Sequence, residues 1–509
     1  MVGKVWLVGA GPSDPGLFTL KGKRVLEEAD VVVYDRLVGQ GVLTMIPEKA
    51  KVIDVGKRAG NHTMPQEKIN EVLLEEAKKG KKVVRLKGGD PFLFGRGGEE
   101  LELLVKNGIP YEIIPGVTSA LAVAAYNGIP VTHRDFCSSV HIVTGHKKKG
   151  ETYDIDFEAL VRTRGTLVFL MGVSALKDIC EGLLKGGMDP FMPAAILQKG
   201  TTARQKRILA TVATLPEEVH KQGIETPAII VVGKVCSLSE EFAWWEKLPL
   251  FGKKIVVTRP KELVSRMTKK LREKGAEVLE LPAIRTVPLS DQSRLLEKLK
   301  ELDTYQWIVF TSPTGVKVFF DVLKKEKFDI RYLLPLKVAV IGEGTKKALE
   351  ERGIYADLMP EIYDGRSLGK ALAEVCTGTE KILIPRATLG TEELLEALHE
   401  KEGLTIHDIP TYDTVYENSR IIDEKEEFGQ DQIDYAVFTS ASTVKGFAES
   451  VNGIDFSKIK AICIGKQTQN AAEKFGMETY RSQKATIDSV IALTEQLGMC
   501  SQKNRRKEK

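Results

Sequence analysis

The chain has 509 residues, too many for one core, and its 42% hydrophobic and 28% charged residues describe a soluble globular protein of roughly three or four domains. A net charge of +4 is small for this length and gives no nucleic-acid footprint, and no apolar run approaches the ~20 residues that span a bilayer. Six scattered cysteines (Cys137, Cys180, Cys236, Cys376, Cys463, Cys500) without Cys-x-x-Cys spacing argue against a disulfide framework or structural zinc; with an amino terminus lacking a signal-peptide pattern, they fit a cytoplasmic protein.

Val5-Trp6-Leu7-Val8 predicts a strand that breaks at Gly9-Ala10-Gly11-Pro12-Ser13-Asp14-Pro15; helical spacing follows from Thr19 to Ala29, then a strand Val31-Val32-Val33-Tyr34 ending at Asp35. This outline is similar to a dinucleotide-binding unit, so a nicotinamide-dependent enzyme is a rival reading. Against it, Asp14 takes the third glycine's place, and Pro12 and Pro15 remove amides that would cradle a pyrophosphate. A donor-poor turn with a carboxylate suits a cationic ligand better. Gly56-Lys57-Arg58-Ala59-Gly60 is a basic loop suited to an anionic substrate.

Helical periodicity from Gln66 to Lys79 leads into Val83-Val84-Arg85-Leu86-Lys87, a buried-strand pattern that runs directly into Gly88-Gly89-Asp90-Pro91. A sharp turn at a strand's carboxyl end is where open α/β sheets place ligands. The two glycines admit a bulky ligand, Asp90 offers an acceptor and Pro91 fixes φ; the plain alternative is an ordinary Gly-Pro turn. Pro115-Gly116-Val117-Thr118-Ser119-Ala120 opens an alanine-rich helix whose first turn could offer amides and hydroxyls. Strands at Val140–Gly145, Thr166–Gly172, Ala194–Leu197 and Ala228–Gly233 predict a second α/β domain from about 131 to 240. His133, His141 and His146 have no regular ligand spacing, which points to packing and not to a metal site.

Together, the Gly9–Pro15 turn, Tyr34-Asp35-Arg36-Leu37-Val38, Gly56-Lys57-Arg58, Gly-Gly-Asp-Pro, Pro115–Ala120, Met171-Gly172 and Gly200-Thr201-Thr202 resemble the tetrapyrrole methylases, more narrowly uroporphyrinogen-III C-methyltransferase, over residues 1–240. Ser13 departs from the glycine usual in that family. The resemblance implies two α/β domains, about 1–130 and 131–240, around a cleft for S-adenosylmethionine. It implies Pro12, Gly88, Gly89, Asp90, Leu93, Thr118, Ser119, Met171 and Gly200 at the cofactor, Asp35 as proton acceptor and Lys57 as proton donor. Arg36 and Arg58 would meet the substrate's carboxylates. A homodimer through this half is also implied.

Residues 241–250, with Trp244-Trp245 and Leu248-Pro249, read as a linker packed against something else. Beyond it the sequence repeats. Phe310-Thr311-Ser312-Pro313-Thr314-Gly315-Val316-Lys317 returns as Phe438-Thr439-Ser440-Ala441-Ser442-Thr443-Val444-Lys445. Val338–Thr345 is echoed in the same order by Ala461–Thr468. Each copy is a strand entering a hydroxyl- or glycine-rich turn at a helix start, an anion-binding geometry, although Ser and Thr there can equally be plain caps. With Thr258-Arg259-Pro260, Lys381–Ala387 and Ile409–Tyr416, these segments resemble uroporphyrinogen-III synthase over 251–495. That resemblance implies two flavodoxin-like lobes, one of about 251–285 plus 413–495, the other about 286–412. It implies Tyr412 assisting hydroxyl departure, and Thr311, Ser312, Thr345, Ser440 and Thr468 at the substrate. The polar, basic tail, 496–509, is expected to be disordered from Ser501 onward.

The expectation is therefore a fused enzyme. Its second half cyclises hydroxymethylbilane to uroporphyrinogen III with inversion of ring D, and its first half methylates that product at C2 and C7 to give precorrin-2, on the way to sirohaem or cobalamin. The alternative is a methylase of a later corrin intermediate joined to a non-catalytic tetrapyrrole-binding module. Neither nucleic acid nor membrane is an expected partner.

Overall fold

The computed structural model describes residues 2–507 except 57–63, 146–154, 259–260, 391, 417–421, 423–426, 429–432 and 452; side chains at 261–265 and 501–507 are not described. Four five-stranded sheets organise the described residues. The first contains β1 (Lys4–Gly9), β2 (Val31–Tyr34), β3 (Lys51–Asp54), β4 (Lys82–Lys87) and β5 (Tyr111–Ile114), all parallel, in the order β3-β2-β4-β1-β5. Its central strands are near-continuous apolar runs because helices cover both faces, and β2 is buried along its whole length. All its strands deliver their carboxyl ends to one edge.

The second sheet holds β6 (Val140–Thr144), β7 (Thr166–Leu170), β8 (Pro193–Gln198), β9 (Lys206–Thr211) and β10 (Ala228–Val232), in the order β6-β7-β10-β8-β9. Here only β6 and β7 run parallel. The segment after it is packed, not free: the Tyr126 ring lies 5.1 Å from Trp244 and 4.8 Å from Trp245, and the Trp244 indole donates to the Ala125 carbonyl at 2.9 Å.

The third sheet, β12-β11-β18-β19-β20, is parallel and follows the flavodoxin order, with β11 (Lys254–Val257), β12 (Glu277–Glu280), β18 (Tyr435–Phe438), β19 (Lys460–Cys463) and β20 (Glu478–Arg481). The fourth, β13-β17-β16-β14-β15, repeats this plan with β14 (Trp307–Phe310), β15 (Lys337–Val340), β16 (Lys381–Ala387) and β17 (Thr405–Tyr416) parallel. Its last place is filled by the antiparallel strand β13 (Ile284–Pro288). The chain thus crosses between lobes after Glu280 and again beyond Tyr416, a few residues from the 286 and 413 suggested by sequence.

The carboxyl-terminal tail needs a correction. A helix spans Ile487–Lys507, so the segment expected to be disordered from Ser501 is helical through 507. Ser501–Lys507 contains neither glycine nor proline, and nothing in it stops a helix already anchored by Val490 and Ile491.

One apolar cluster joins the halves. It runs from Val8, Val32 and Leu86 of the first sheet through Val42, Leu43 and Ile46 to Leu279 and Phe438 of the third, with Leu281 and Phe447 beside them. The short helix Gln40–Leu43 lies against the edge strand β12, covering an edge that would otherwise be open to unwanted pairing.

Candidate active sites

Three turns meet at the carboxyl edge of the first sheet. Gly11 and Gly89 bridge the first two: the Gly89 amide donates to the Gly11 carbonyl at 2.8 Å, and the Gly11 amide to the Gly89 carbonyl at 3.2 Å. Gly116 seals the third against them; a Cβ there would stand 2.2 Å from the Gly89 carbonyl oxygen, and one on Gly9 would stand 2.5 Å from the Gly116 Cα. Gly89 itself is left-handed, at φ +67°, and opens onto free space where its Cβ would be. The glycines thus serve two ends, mutual approach at Gly9 and Gly116 and a cradle at Gly89.

Asp90 locks this arrangement. Its Oδ2 accepts from the Gly116 amide at 2.9 Å and its Oδ1 from the amides of Phe92 (2.8 Å) and Leu93 (3.1 Å). Thr118 caps the helix Ser119–Tyr126 by accepting from the Ala120 amide. Gly200 packs onto that same helix, its missing Cβ 2.3 Å from a Val123 methyl. The next residue, Thr201, donates its hydroxyl to the Pro12 carbonyl and accepts from the Asp14 amide at 3.3 Å. Leu93 and Leu170, the residue before Met171, share one apolar cluster with Ala120 and Val123. Every cofactor residue expected from sequence therefore belongs to this set of turns or to a strand end beside it.

Backbone strain marks the same place. Of eight described non-glycine residues at positive φ, six lie on these turns: Ser13, Phe94, Arg96, Met171, Lys199 and Thr201. Such conformations persist only where surrounding structure enforces them, and they concentrate at binding and catalytic sites.

The Asp14 carboxylate is not free for a cationic ligand. Its Oδ1 accepts from the Gly16 amide at 2.7 Å and its Oδ2 from the Tyr126 hydroxyl at 2.7 Å, so it braces the turn from within. Burial, reinforced by Asp14, pushes the Tyr126 phenol well up, and it remains a donor.

Asp35 follows β2 beside the Gly88 turn, where Gly88 leaves room for Leu37; a Cβ would come within 2.5 Å of the Leu37 Cβ. The Asp35 Oδ1 accepts from the Leu37 amide at 3.0 Å, and its Oδ2 lies 3.4 Å from an Arg85 nitrogen. Beneath it is a buried charge layer that sequence reading passed over. Arg85 Nε and Lys87 Nζ donate to Glu100 Oε1 at 3.1 and 2.7 Å. Desolvation holds the Lys87 ammonium below the ordinary lysine range, Arg85 adding to that effect and Glu100 opposing it. The available signal was charge at alternate positions, Arg85 and Lys87, of a strand that past its exposed first residue Lys82 is otherwise apolar. Removing one member of such a layer costs about 3–5 kcal/mol, because it strands the others. Arg36 is exposed, and Lys57 and Arg58 lie outside the described residues.

In the second half, matching turns sit at the carboxyl ends of the strands of both lobes. The Ser312 and Tyr412 hydroxyls are 2.8 Å apart, and Ser312 also caps the helix Pro313–Lys325 by accepting from the Gly315 amide at 2.8 Å. Burial raises the Tyr412 pKa, with Ser312 partly opposing it. Thr311 is half-buried beside them. Ser440 forms a capping box with Thr443 at the start of Ala441–Ser450. At Gly342 and Gly465 no side chain caps the helices Glu343–Glu350 and Lys466–Glu473, which leaves the amides of their first two residues for an anion, while the Thr345 amide donates to the Gly342 carbonyl at 3.0 Å. Thr345 and Thr468 depart from expectation. They are 2% and 4% exposed, at the third residue of these helices, so their side chains are packed inward instead of lining open surface. Across the lobes, Gln467 Nε2 donates to Glu393 Oε2 at 3.2 Å.

Comparison with known proteins gives a family for each half. The family model "Tetrapyrrole (Corrin/Porphyrin) Methylases" matches residues 4–216, and "Uroporphyrinogen-III synthase HemD" matches 265–492. The porphyrin biosynthesis protein HemD of Ruminiclostridium josui is 47% identical over 97% of this chain and 98% of its own. A uroporphyrinogen-III C-methyltransferase of Bacillus subtilis is 51% identical, covering 48% of this chain and 95% of its own length. Among solved structures, uroporphyrin-III C-methyl transferase from Thermus thermophilus with S-adenyl homocysteine is 41% identical, covering 46% of this chain and 99% of that one, with a TM-score of 0.40. The chain belongs to the HemD porphyrin-biosynthesis proteins in which a tetrapyrrole methylase precedes a uroporphyrinogen-III synthase.

Ser13, at φ +101°, occupies a conformation that glycine adopts without strain. Ser13→Gly is expected to raise stability by about 1 kcal/mol, read as a higher denaturation midpoint; a lower midpoint would show that the serine is not strained there.

Proposed function

We propose that the chain is a bifunctional enzyme of tetrapyrrole biosynthesis. Residues 251–495 close hydroxymethylbilane to uroporphyrinogen III with inversion of ring D. Residues 1–240 methylate that product at C2 and C7, giving precorrin-2 for sirohaem or cobalamin. Residues 241–250 join the halves. The observation that carries the methylase reading is the meeting of three glycine turns around open space at Gly89, with the neighbouring Gly88 packed against Leu37, two residues after Asp35.

That cradle fits S-adenosylmethionine, the donor used by tetrapyrrole methylases, which supplies a sulfonium methyl when bound. The Gly88–Asp90 and Pro115–Ser119 turns, with Pro12, Leu93, Met171 and Gly200, would hold it. The protein's own contribution is alignment, which supplies much of the rate when an electron-rich ring carbon must meet a methyl group. Asp35, oriented by the Leu37 amide and Arg85, accepts the proton that the alkylated ring releases. Lys57 is assigned as the proton donor, and Arg36 and Arg58 bind carboxylates of the substrate.

In the synthase half, the buried Tyr412 phenol stays protonated and assists departure of the terminal hydroxyl, with Ser312 fixing its direction. The open helix starts at Gly342 and Gly465, with the turns at Thr311–Ser312 and Ser440, hold the carboxylates of the folded linear precursor. The precursor is intrinsically reactive, so holding it folded is most of what the protein must do. Our reading also includes a cytoplasmic location and a homodimer through the methylase half, where Phe92, Phe94 and Leu121 are exposed. No helix among the described residues is long and apolar enough to cross a membrane.

Asp35→Asn is expected to lower methyl transfer by ~100-fold or more while calorimetric binding of S-adenosylhomocysteine stays close to wild type; unaltered turnover removes Asp35 from the mechanism. For Tyr412→Phe, ring closure should slow and the symmetric I isomer should accumulate at the expense of III. An unchanged isomer ratio in a chromatographic assay would refute that role.

A further inference from the structure

The methylase turns are held from outside their own half. The loop carrying Gly200 continues through Thr201, Ala203 and Arg204 onto the first synthase lobe. There the Ala203 amide donates to Glu277 Oε2 at 2.8 Å. Arg204 donates to the Gly252 carbonyl at 3.1 Å and to Asp434 Oδ2 at 3.2 Å. Asp434 is itself fixed, accepting from Lys253 Nζ at 3.1 Å and from the Lys254 amide at 2.9 Å. A second tie reaches the Asp35 turn from the same lobe: Lys254, 5% exposed, donates to Gln40 Oε1 at 2.8 Å and to Glu427 Oε2 at 2.5 Å, while Gln40 donates to Glu427 Oε1.

These contacts converge on strained backbone. Lys199 and Thr201 are left-handed, at φ +45° and +66°, and Thr201 supports the Pro12 carbonyl and the Asp14 amide in the first glycine turn. Such a loop keeps its shape only if it is held on more than one side. On the methylase side it is held by Gln205, which accepts from the Thr201 amide at 2.9 Å and donates to the Tyr126 carbonyl at 3.2 Å. The other side is the synthase lobe. Apolar packing alone would dock the halves but would not fix the position of one loop. Charge-assisted hydrogen bonds of defined direction do.

We propose that Arg204, with Glu277 and Asp434 of the synthase lobe, forms a positioning contact that sets the methylase cofactor turn, so that affinity for S-adenosylmethionine in the first half depends on a surface supplied by the second. This rests on the reading of the Gly89 cradle as the cofactor site. The test uses full-length protein and five readouts: calorimetric Kd for S-adenosylhomocysteine, KM for S-adenosylmethionine, kcat of methyl transfer, melting temperature, and ring closure as an internal check of folding. Arg204→Met is expected to raise Kd and KM about tenfold, to change kcat less than about twofold and to leave ring closure intact. Arg204→Lys, which keeps a donor and charge, should restore most of the affinity. Glu277→Ala should reproduce the shift while leaving Arg204 in place. A purely structural role would lower the melting temperature without moving Kd, and unchanged Kd in both Arg204→Met and Glu277→Ala overturns the proposal. Wild-type protein that takes up no S-adenosylhomocysteine overturns the site reading as well, whereas wild-type uptake with unchanged variants overturns this inference alone.

Discussion

The contact on which the first half depends is backbone against backbone. Gly9, Gly89 and Gly116 approach so closely that two of the three have no room for a Cβ. This closeness lets Asp90 reach the Gly116 amide and lets the Gly11 and Gly89 turns bridge. Parallel strands bring their carboxyl ends to one edge, but that alone gives only adjacent loops. The glycines turn adjacency into a rigid rim with a hollow at Gly89, and left-handed residues around it show that the shape is imposed on the chain.

Beneath that rim the layers have different tasks. The apolar strands β1, β2 and β4 provide burial, and the Arg85, Lys87 and Glu100 layer fixes where Asp35 can point. The second half solves a looser problem with a looser device. Its two lobes repeat one strand order, and corresponding turns open their helices either with a serine cap or with a glycine that provides no side-chain cap. The flexible, carboxylate-rich precursor proposed above would be well served by several such helix starts, each contributing modestly. The halves are not beads on a string. They share one apolar cluster and a set of partly buried hydrogen bonds that end on methylase loops.

Much of this was legible in the sequence because it is local. Apolar runs ending at Gly9–Pro15 and Gly88–Pro91 announce strand and turn, and the repeat of Phe310–Lys317 at Phe438–Lys445 announces twin lobes. What could not be read was pairwise and distant. Nothing in Asp14 reveals that Tyr126 will occupy its carboxylate, and nothing in Glu100 reveals Lys87. Thr345 and Thr468 look like their neighbours in the repeat, yet helical phase turns both inward. The tail was misjudged for a related reason. Its composition is polar, but a helix begun at Ile487 on an apolar face can run on through polar residues that nothing interrupts.

Glycine-on-glycine contact is proposed to build the cofactor cradle. Titrating full-length protein with S-adenosylhomocysteine in a calorimeter, wild type against Gly116→Ala, tests it most directly, since the added methyl would stand 2.2 Å from the Gly89 carbonyl oxygen. The expected result is uptake by the wild type and its loss in the variant, with formation of uroporphyrinogen III retained. Equal uptake by both proteins would contradict it.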